Sequence, residues 1–208
     1  MMKHCPKWIL TLMASLAMVS ISPAQQCLSP SPTTLAGGRS YDPIRDRELT
    51  REELATLQTL FKSLNGEWRG VSDTFFCKSI SDPDDVEPGH FTIKASVRVD
   101  RYGNLLMEAE LYDPENRSSH QKTLRLYLNN KLLRIDHDTG AGDVELIEVG
   151  NHKVAFLYRR VNPTGKPSGS SRSETFFTLS TGERSLTIDQ QIYIQAKLSS
   201  GYTWQLQR

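Results

Sequence analysis

The sequence predicts an all-β protein, a soluble up-and-down antiparallel β-barrel of about 8–10 strands, preceded by one short amphipathic helix. Apolar and polar residues alternate over most of the chain after residue 66, which is the spacing of half-buried strands. Short turns separate these segments, and no helical pattern interrupts them, which excludes a βαβ arrangement. Closure into a barrel removes the exposed edges of so long an open sheet, while a β-sandwich is the alternative fold.

Residues 1–24 have the pattern of an export signal. Lys3 and Lys7 precede an apolar run of about 14 residues, and Ser22-Pro23-Ala24 supplies the small residues that signal peptidase accepts. The run is shorter than the roughly 20 apolar residues of a membrane-spanning helix, which argues against an uncleaved anchor. We therefore expect cleavage after Ala24 and a periplasmic or secreted protein, with no transmembrane segment in the mature chain.

The mature chain is nearly neutral and has the length of one domain. Removal of the signal deletes two lysines and leaves one more acidic than basic residue. Such a balance does not attract nucleic acid. We expect an extended N-terminal segment rich in Pro, Gly and Ser over residues 25–49, followed by a single barrel domain over residues 50–208.

Two cysteines remain after removal of the signal, Cys27 and Cys77. A disulfide between them is the expected state in an exported chain. Closing a loop of this length stabilises by at most ~4 kcal/mol in the chain-entropy model. The alternative is an outer-membrane lipoprotein with lipid on Cys27, but Ala24-Gln25-Gln26 lacks the small residue that lipidation requires directly before the cysteine.

Residues 51–64 are predicted to form the helix. Thr50-Arg51-Glu52-Glu53 matches a capping box, in which Thr50 and Glu53 exchange hydrogen bonds between side chain and backbone. Apolar residues follow at helical spacing, and Asn65-Gly66 ends the segment. These apolar residues are Leu54, Leu57, Leu60, Phe61 and Leu64.

About ten strands are expected after the helix. Residues 91–99 and 105–111 alternate most regularly, and residues 100–104 are predicted as the hairpin turn between them. Further strands are expected near residues 122–129, 131–136, 143–149, 153–161, 174–181, 184–197 and 202–208, with turns at 129–130, 150–151, 181–182 and 199–201.

The same alternation argues against a barrel that crosses the outer membrane. The lipid-facing side of such a barrel would have to be apolar. Each strand here has one apolar face, and the opposite face carries charges such as Lys94, Arg98 and Glu108. The sequence therefore favours a barrel with an apolar interior and a polar exterior.

Gly66-Glu67-Trp68 stands where the helix leads into the first strand. The triplet resembles the Gly-x-Trp signature of lipocalins and the wider calycin group of β-barrels. In that family the tryptophan closes one end of the barrel, and a basic residue of the last strand packs across its ring. The resemblance implies these barrel-closing roles for Gly66, Trp68 and Arg208, and alternation places Arg208 on the same strand face as Trp204.

The longer string Gly66-Glu-Trp-Arg-Gly70 is also similar to the start of nitrobindin-like haem barrels. Those barrels take their haem-ligating histidine from late in the chain, whereas no histidine follows His152 here. We therefore expect no haem and no other cofactor.

Residues suited to catalysis or metal binding are sparse. Four histidines are expected beside turns or in loops, namely His90, His120, His137 and His152, and no two of them have the close spacing of a zinc site. Asp138 and Asp143 in an acidic turn are the calcium alternative, although the turn lacks the twelve-residue ligand pattern. Without a Gly-x-Ser-x-Gly elbow or a free thiol, we assign no catalytic residue and no metal.

The expected function is that of an exported, non-catalytic binding protein that holds a small hydrophobic or amphipathic molecule, such as a lipid, in the barrel. The candidate ligand-binding residues come from the apolar strand faces and are Ile93, Ala95, Val97, Met107, Phe156 and Ile192. Two alternatives stay open. One is a packed barrel that acts as a protein-interaction module of the envelope without a ligand, and the other is a calycin-type isomerase or lyase, which would need a titratable group inside the barrel.

Overall fold

The structure is a computed structural model that describes residues 27–35, 48–79, 81–129, 131–138, 140–163 and 170–208. Two helices, α1 (Pro32–Leu35) and α2 (Arg51–Leu64), lie in these ranges. The strands are β1 (Gly66–Cys77), β2 (Val86–Val99), β3 (Leu105–Asp113), β4 (Ser118–Asn129), β5 (Leu132–His137), β6 (Gly140–Asp143), β7 (Glu145–Gly150), β8 (Lys153–Pro163), β9 (Ser170–Thr181), β10 (Ser185–Ile194) and β11 (Lys197–Gln207). The predicted export signal, residues 1–24, lies outside the described residues. None of the helices in the described ranges is long and apolar enough to cross a membrane.

The eleven strands form one antiparallel sheet in the order β6-β5-β4-β3-β2-β1-β11-β10-β9-β8-β7. The sheet curves into a nearly closed barrel, because the first and last strands pair with each other while the other neighbours are consecutive in sequence. The two ends of the order, β6 and β7, follow one another in the chain. The predicted all-β meander with one preceding amphipathic helix is therefore confirmed.

The strand count exceeds the expected 8–10 because residues 140–143, assigned from the sequence to an acidic turn, form the additional strand β6. Residues 143–149 were expected to be continuous, but Asp143 ends β6 and Glu145 begins β7. Between them, the Val144 N–H donates to the Leu133 carbonyl at 3.1 Å. The chain thus leaves one edge of the sheet and enters the other within a single residue.

The last hairpin also differs from its prediction. Residues 199–201, predicted as a turn, lie inside β11, and the turn is Gln195-Ala196, with φ of 52° and 63°. A Cβ on Gly201 would lie 2.4 Å from the Gln190 carbonyl oxygen and 2.7 Å from the Phe75 ring. Gly201 therefore permits a close approach of neighbouring groups within the sheet, and does not form a turn.

Helix α2 covers one end of the barrel. Its buried residues, Leu57, Leu60, Phe61 and Leu64, belong to the same apolar core as the inward faces of the strands. The predicted capping box is confirmed, because Thr50 Oγ1 accepts from the Glu53 N–H at 3.2 Å and the Thr50 N–H donates to Glu53 Oε2 at 2.8 Å. The cap and the buried face together fix where the helix begins and how it seats on the barrel.

The predicted disulfide between Cys27 and Cys77 is confirmed. It joins the N-terminal part of the chain to the last residue of β1, with 5.8 Å between the two Cα atoms. Both cysteines are buried. The bond therefore anchors the segment before α2 at the end of the barrel that is remote from the helix.

Residues 27–35, here called the N-terminal strap, do more than extend over the surface as predicted. Leu28 N–H donates to the Leu198 carbonyl at 3.1 Å, and Ser31 N–H donates to the Ala196 carbonyl at 2.8 Å. The strap then forms the short helix α1, and the Ser31 side chain is fully buried. These contacts continue the sheet along the last hairpin.

Candidate functional site

Trp68 lies at the barrel end that α2 covers. Its side chain is 3% exposed, and its Nε1 donates to the Leu64 carbonyl at 2.8 Å. The guanidinium of Arg208 lies over the indole, 4.2 Å from the ring centroid. Arg208 Nη2 also donates to the carbonyls of Ser63 (2.6 Å) and Asn65 (3.0 Å). The pair therefore satisfies carbonyls at the helix C-terminus that have no partner within the helix.

Two glycines shape the chain beside Trp68. Gly66 has a φ of 133°, a conformation that side chains disfavour, and it turns the chain from α2 into β1. A Cβ on Gly70 would lie 1.8 Å from the Gln205 carbonyl oxygen. Gly70 therefore leaves room for the neighbouring strand β11, and any other residue there would force the two strands apart.

Five of the six predicted ligand-binding residues are packed into the core, each at most 2% exposed: Ile93, Ala95, Val97, Met107 and Phe156. Ala95 pairs with Trp68 across β1 and β2, so its small side chain leaves space for the indole. Ile192, the sixth, is half-buried and borders a cavity at the opposite end of the barrel. The half of the interior nearest α2 is therefore filled by side chains.

The cavity, here called the mouth cavity, has a volume of about 310 Å³. Strand β1 runs from Gly66, beside α2, toward Cys77. Phe75, which lines the mouth cavity, therefore lies about 23 Å along this strand from Trp68. The apolar lining includes Phe75, Phe76, Phe91, Leu111, Ile192 and Tyr202, and the polar lining includes His120, Lys122 and Gln190. The barrel thus has a packed end and an open, mainly aromatic end.

Lys122 projects its amine into this aromatic surrounding. Its Nζ lies 4.5 Å from the centroid of the Tyr202 ring. Burial lowers the pKa of Lys122, while the charge of Asp138 acts in the opposite direction. Burial also raises the pKa of Tyr202, so its hydroxyl is neutral across the ordinary pH range. Lys122 is therefore a desolvated cation at the wall of an apolar cavity.

Two further buried polar atoms lie one inward position deeper than Tyr202, outside the cavity lining. Tyr202 stacks on Trp204 with 4.9 Å between ring centroids. Trp204 pairs with Ser72 across β1 and β11, one inward position deeper than the pair of Tyr202 with Thr74. Within the described residues, neither Trp204 Nε1 nor Ser72 Oγ has a hydrogen-bond partner. The Trp204 indole N–H and the Ser72 hydroxyl are therefore two hydrogen-bond donors in the interior next to Tyr202.

His137 is the last residue of β5, beside the turn at Asp138, and lies against the interior aromatic residues. Its ring centroid is 5.3 Å from that of Phe177 and 5.6 Å from that of Tyr158, both edge-on. Burial lowers the pKa of His137, partly opposed by Asp138 and Asp136, so the imidazole is neutral at neutral pH. The position of His137 beside a turn is as predicted, but its burial against aromatic rings was not expected.

His90 and His120 also lie in strands, contrary to the prediction. His90 Nδ1 is 2.6 Å from Asp73 Oδ1 on the outer face of the barrel, where both side chains are exposed. His120 lies edge-on to Phe91, with 6.4 Å between ring centroids, and borders the mouth cavity. His90 instead lines a separate depression on the outer face, together with Asp73 and Glu87.

The acidic turn considered for calcium is held by protein groups. Asp138 Oδ1 accepts from the Thr123 N–H at 3.2 Å, and Asp143 Oδ1 is 2.6 Å from Arg134 Nε. In the described part of the chain, no group of three or more His, Cys, Asp or Glu side chains is arranged to hold a metal ion. The mouth cavity is therefore the candidate functional site.

Sequence reasoning missed Lys122, because the fourth strand was predicted to begin at residue 122. The strand begins at Ser118, and His120 and Lys122 continue the inward face of Leu124 and Leu126. Residues 120, 122, 124 and 126 alternate with outward residues, as in a single strand. Their side chains change from polar to apolar along it, and this pattern was visible in the sequence. Tyr202 was likewise placed at a strand end, since the strand was expected to start there and not at Lys197.

No protein family matches the sequence, and no curated protein matches it. Similar solved structures include a protein of unknown function of the DUF3598 family from Nostoc punctiforme, 14% identical, with a TM-score of 0.43 over 71% of this chain. The chain spans about half of that protein's length, with 48% covered. Rv2717c from M. tuberculosis is 13% identical, with a TM-score of 0.48 over 74% of this chain and 96% of its own. These likenesses assign neither a family nor an activity to the chain.

Proposed function

We propose that this protein is a non-catalytic binding protein that holds one small amphipathic molecule in the mouth cavity. The observation that carries the proposal is the cavity itself, about 310 Å³ in volume and lined mainly by aromatic and aliphatic side chains. Ligand sites in proteins have volumes of roughly 300–1,000 Å³ and combine an apolar lining with a few polar groups. The mouth cavity lies at the small end of that range, so its ligand is small.

The packed half of the barrel supports a binding role because it makes the fold stable without a ligand. Met107 and Phe156 are fully buried beside the covered end, so the open end does not have to supply the core. A packed half and an open half are typical of binding barrels, in which a rigid scaffold carries the ligand site at one mouth. A packed barrel that only binds protein partners is the competing function.

We also propose that the protein is exported and that the barrel is of the calycin type. The disulfide between Cys27 and Cys77 supports export, because disulfides persist in oxidising compartments. The placement of Arg208 over Trp68 supports the calycin type, because that group closes its barrels with such a pair.

Binding of prodan, a neutral dye whose emission shifts to the blue in apolar surroundings, tests the proposal. We expect saturable binding of about one dye per chain. Ile192→Trp fills the mouth cavity and should abolish the blue shift, while the urea unfolding midpoint stays within error.

The matched control for this experiment is Tyr102→Trp. Tyr102 is 63% exposed in the β2–β3 turn, next to Gly103, which neighbours Gln58 of α2 at the covered end. The control should bind prodan like the unmodified protein. Absence of dye binding to the unmodified protein would favour the packed barrel, and unchanged binding by Ile192→Trp would place the dye elsewhere.

A further inference from the structure

We propose that the mouth cavity selects molecules with an anionic head group, which Lys122 Nζ binds while the aromatic and aliphatic lining holds the apolar body. This inference rests on the proposed function, because it names the class of ligand for the same cavity. The ligand class is therefore a single-chain anionic amphiphile, with a carboxylate, sulfate or phosphate as head group.

The position of Lys122 is the first support. Its Nζ borders the cavity and lies 4.5 Å from the centroid of the Tyr202 ring. Among the described residues, no carboxylate lies within ion-pair distance of this amine, and no hydrogen bond to it is formed. A ring face compensates a desolvated ammonium group only in part. An anionic head group would offset the remaining penalty.

The sign of the surrounding charge is the second support. The described residues that line the cavity include two basic side chains, Lys122 and His120, and no acidic one. These two residues lie two positions apart on β4 and therefore on the same inward face. The acidic group that acts on Lys122 is Asp138, whose side chain is exposed and whose Oδ1 accepts from the Thr123 N–H. Asp113, which acts on His120, lies outside the lining. The cavity wall thus favours negative charge.

The arrangement of the apolar groups is the third support. Phe91 and Leu111 on one side and Ile192 on the other border the same cavity as Lys122. An amine at the wall and an apolar lining match a molecule that has a charged end and a hydrocarbon body. A purely apolar molecule would leave the ammonium group without a partner, so it would bind less tightly.

Three probes with the same alkyl chain and different head groups test the inference: octanoate, octanol and octyltrimethylammonium. Each is titrated calorimetrically, the two ions below their micelle concentrations and octanol below its solubility limit. We expect octanoate to bind about tenfold to a hundredfold more tightly than octanol, which is the range of one charge-assisted hydrogen bond. The cationic probe should bind most weakly. Lys122→Met should remove the preference for octanoate and leave the affinity for octanol unchanged.

Two further variants keep the test decisive. Lys122→Arg keeps the positive charge and should keep the preference for octanoate over octanol. This variant tests the role of the charge if Lys122→Met does not fold. Lys94→Met removes an exposed lysine from the outer face of β2 and should change nothing. Equal affinities of octanoate and octanol for the unmodified protein, or a preference that survives in Lys122→Met, would overturn the inference while prodan binding upholds the proposed function. If neither prodan nor any probe binds, both proposals fail.

Discussion

Trp68 and Arg208 lie at the barrel end that α2 covers, and they contact each other directly. The indole fills the space that Ala95 leaves across the β1–β2 pair and donates to the Leu64 carbonyl. The Arg208 guanidinium covers the ring and donates to the Ser63 carbonyl at 2.6 Å. Three elements, α2, β1 and β11, therefore meet at these two side chains.

Replacement of Trp68 by alanine should be among the most destabilising single changes. The variant loses a buried large side chain and leaves a helix carbonyl without its donor, so we expect a loss of about 3–5 kcal/mol in unfolding free energy. Urea denaturation measures this loss. Tyr102→Ala, at the exposed turn on the same end, should change the unfolding free energy by about 0.5 kcal/mol or less. Equal effects of both variants would show that the indole is not a core group.

Glu174 is the residue that ties the strap to the barrel wall. Its Oε2 accepts from the hydroxyls of Ser31 and Thr33, the latter at 2.8 Å, and its Oε1 accepts from Arg159 Nε at 3.1 Å. Burial alone would raise the pKa of Glu174, but these hydrogen bonds and the charge of Arg159 outweigh it and lower the pKa. The carboxylate is therefore stabilised in its ionised form by the fold.

Glu174→Gln should destabilise the protein by about 1–3 kcal/mol at neutral pH. Since the pKa is lower in the folded protein, the contribution of Glu174 is complete above its ordinary value of 4.5 and is lost as the pH falls through the lowered folded-state value. Urea unfolding of both proteins from neutral to acidic pH should therefore show the gap closing with acid. Glu183→Gln, in the exposed β9–β10 turn, is the control. A gap of constant size at every pH would contradict the assignment.

At the scale of elements, the strap behaves as an additional short strand beside the last hairpin. Pro30 bridges to Lys197 in antiparallel fashion, and the Leu198 N–H donates back to the Ser29 carbonyl at 2.8 Å. The described strap is only nine residues long, and so few residues gain little from burial alone. Its attachment therefore depends on the disulfide and on Glu174.

Opening the Cys27–Cys77 disulfide should release the strap and leave the barrel folded. We expect the Leu28 and Ser31 amides, which donate to β11 and the last turn, to exchange hydrogen faster after reduction, while amides of β2 and β3 keep their protection. The unfolding free energy should fall by about 2–4 kcal/mol. Hydrogen exchange with and without reductant measures the first effect, and intact mass should show a gain of two hydrogens. Equal strap protection in both states would mean that hydrogen bonds alone hold it.

At the scale of the whole molecule, the barrel is closed by side chains where its strand order ends. Tyr158 of β8 donates its hydroxyl to the Ala141 carbonyl of β6 at 3.2 Å, across the gap between the two edges. A Cβ on Gly142 would lie 2.8 Å from the Tyr158 ring, so the glycine allows that ring to reach β6. His137 packs edge-on to the same ring. These aromatic contacts and the Tyr158–Ala141 hydrogen bond therefore join the two edges of the sheet.

The division of the interior into a packed half and an open half is also a property of the whole molecule. Ile192 borders the open half, whereas Met107 lies in the packed half. The two halves explain why Ile192→Trp is expected to remove binding and keep the fold. The same bulky change at Ala95 would overpack the space already occupied by Trp68, and it would destabilise the protein instead.

Much of the architecture was predictable because its signals are local. The capping box at Thr50, the helical spacing of α2 and the alternation of residues 91–99 each depend on neighbours in sequence. The disulfide followed from the two cysteines that remain if the predicted export signal is removed. The position of Trp68 at one end of the barrel was expected only through the resemblance of Gly66-Glu67-Trp68 to the lipocalin signature, and Trp68 lies at the end that α2 covers.

Only the tertiary structure decided where the interior is open and what charge it contains. Alternation shows which residues of a strand share a face, but the register between distant strands decides which of them meet. Lys122 of β4 contacts Tyr202 of β11 in this way, although 80 residues separate them in sequence. The sequence by itself determined a barrel of alternating strands with one helix. The fold alone placed a desolvated amine against an aromatic cavity, because that contact arises across a closed sheet and has no local signal.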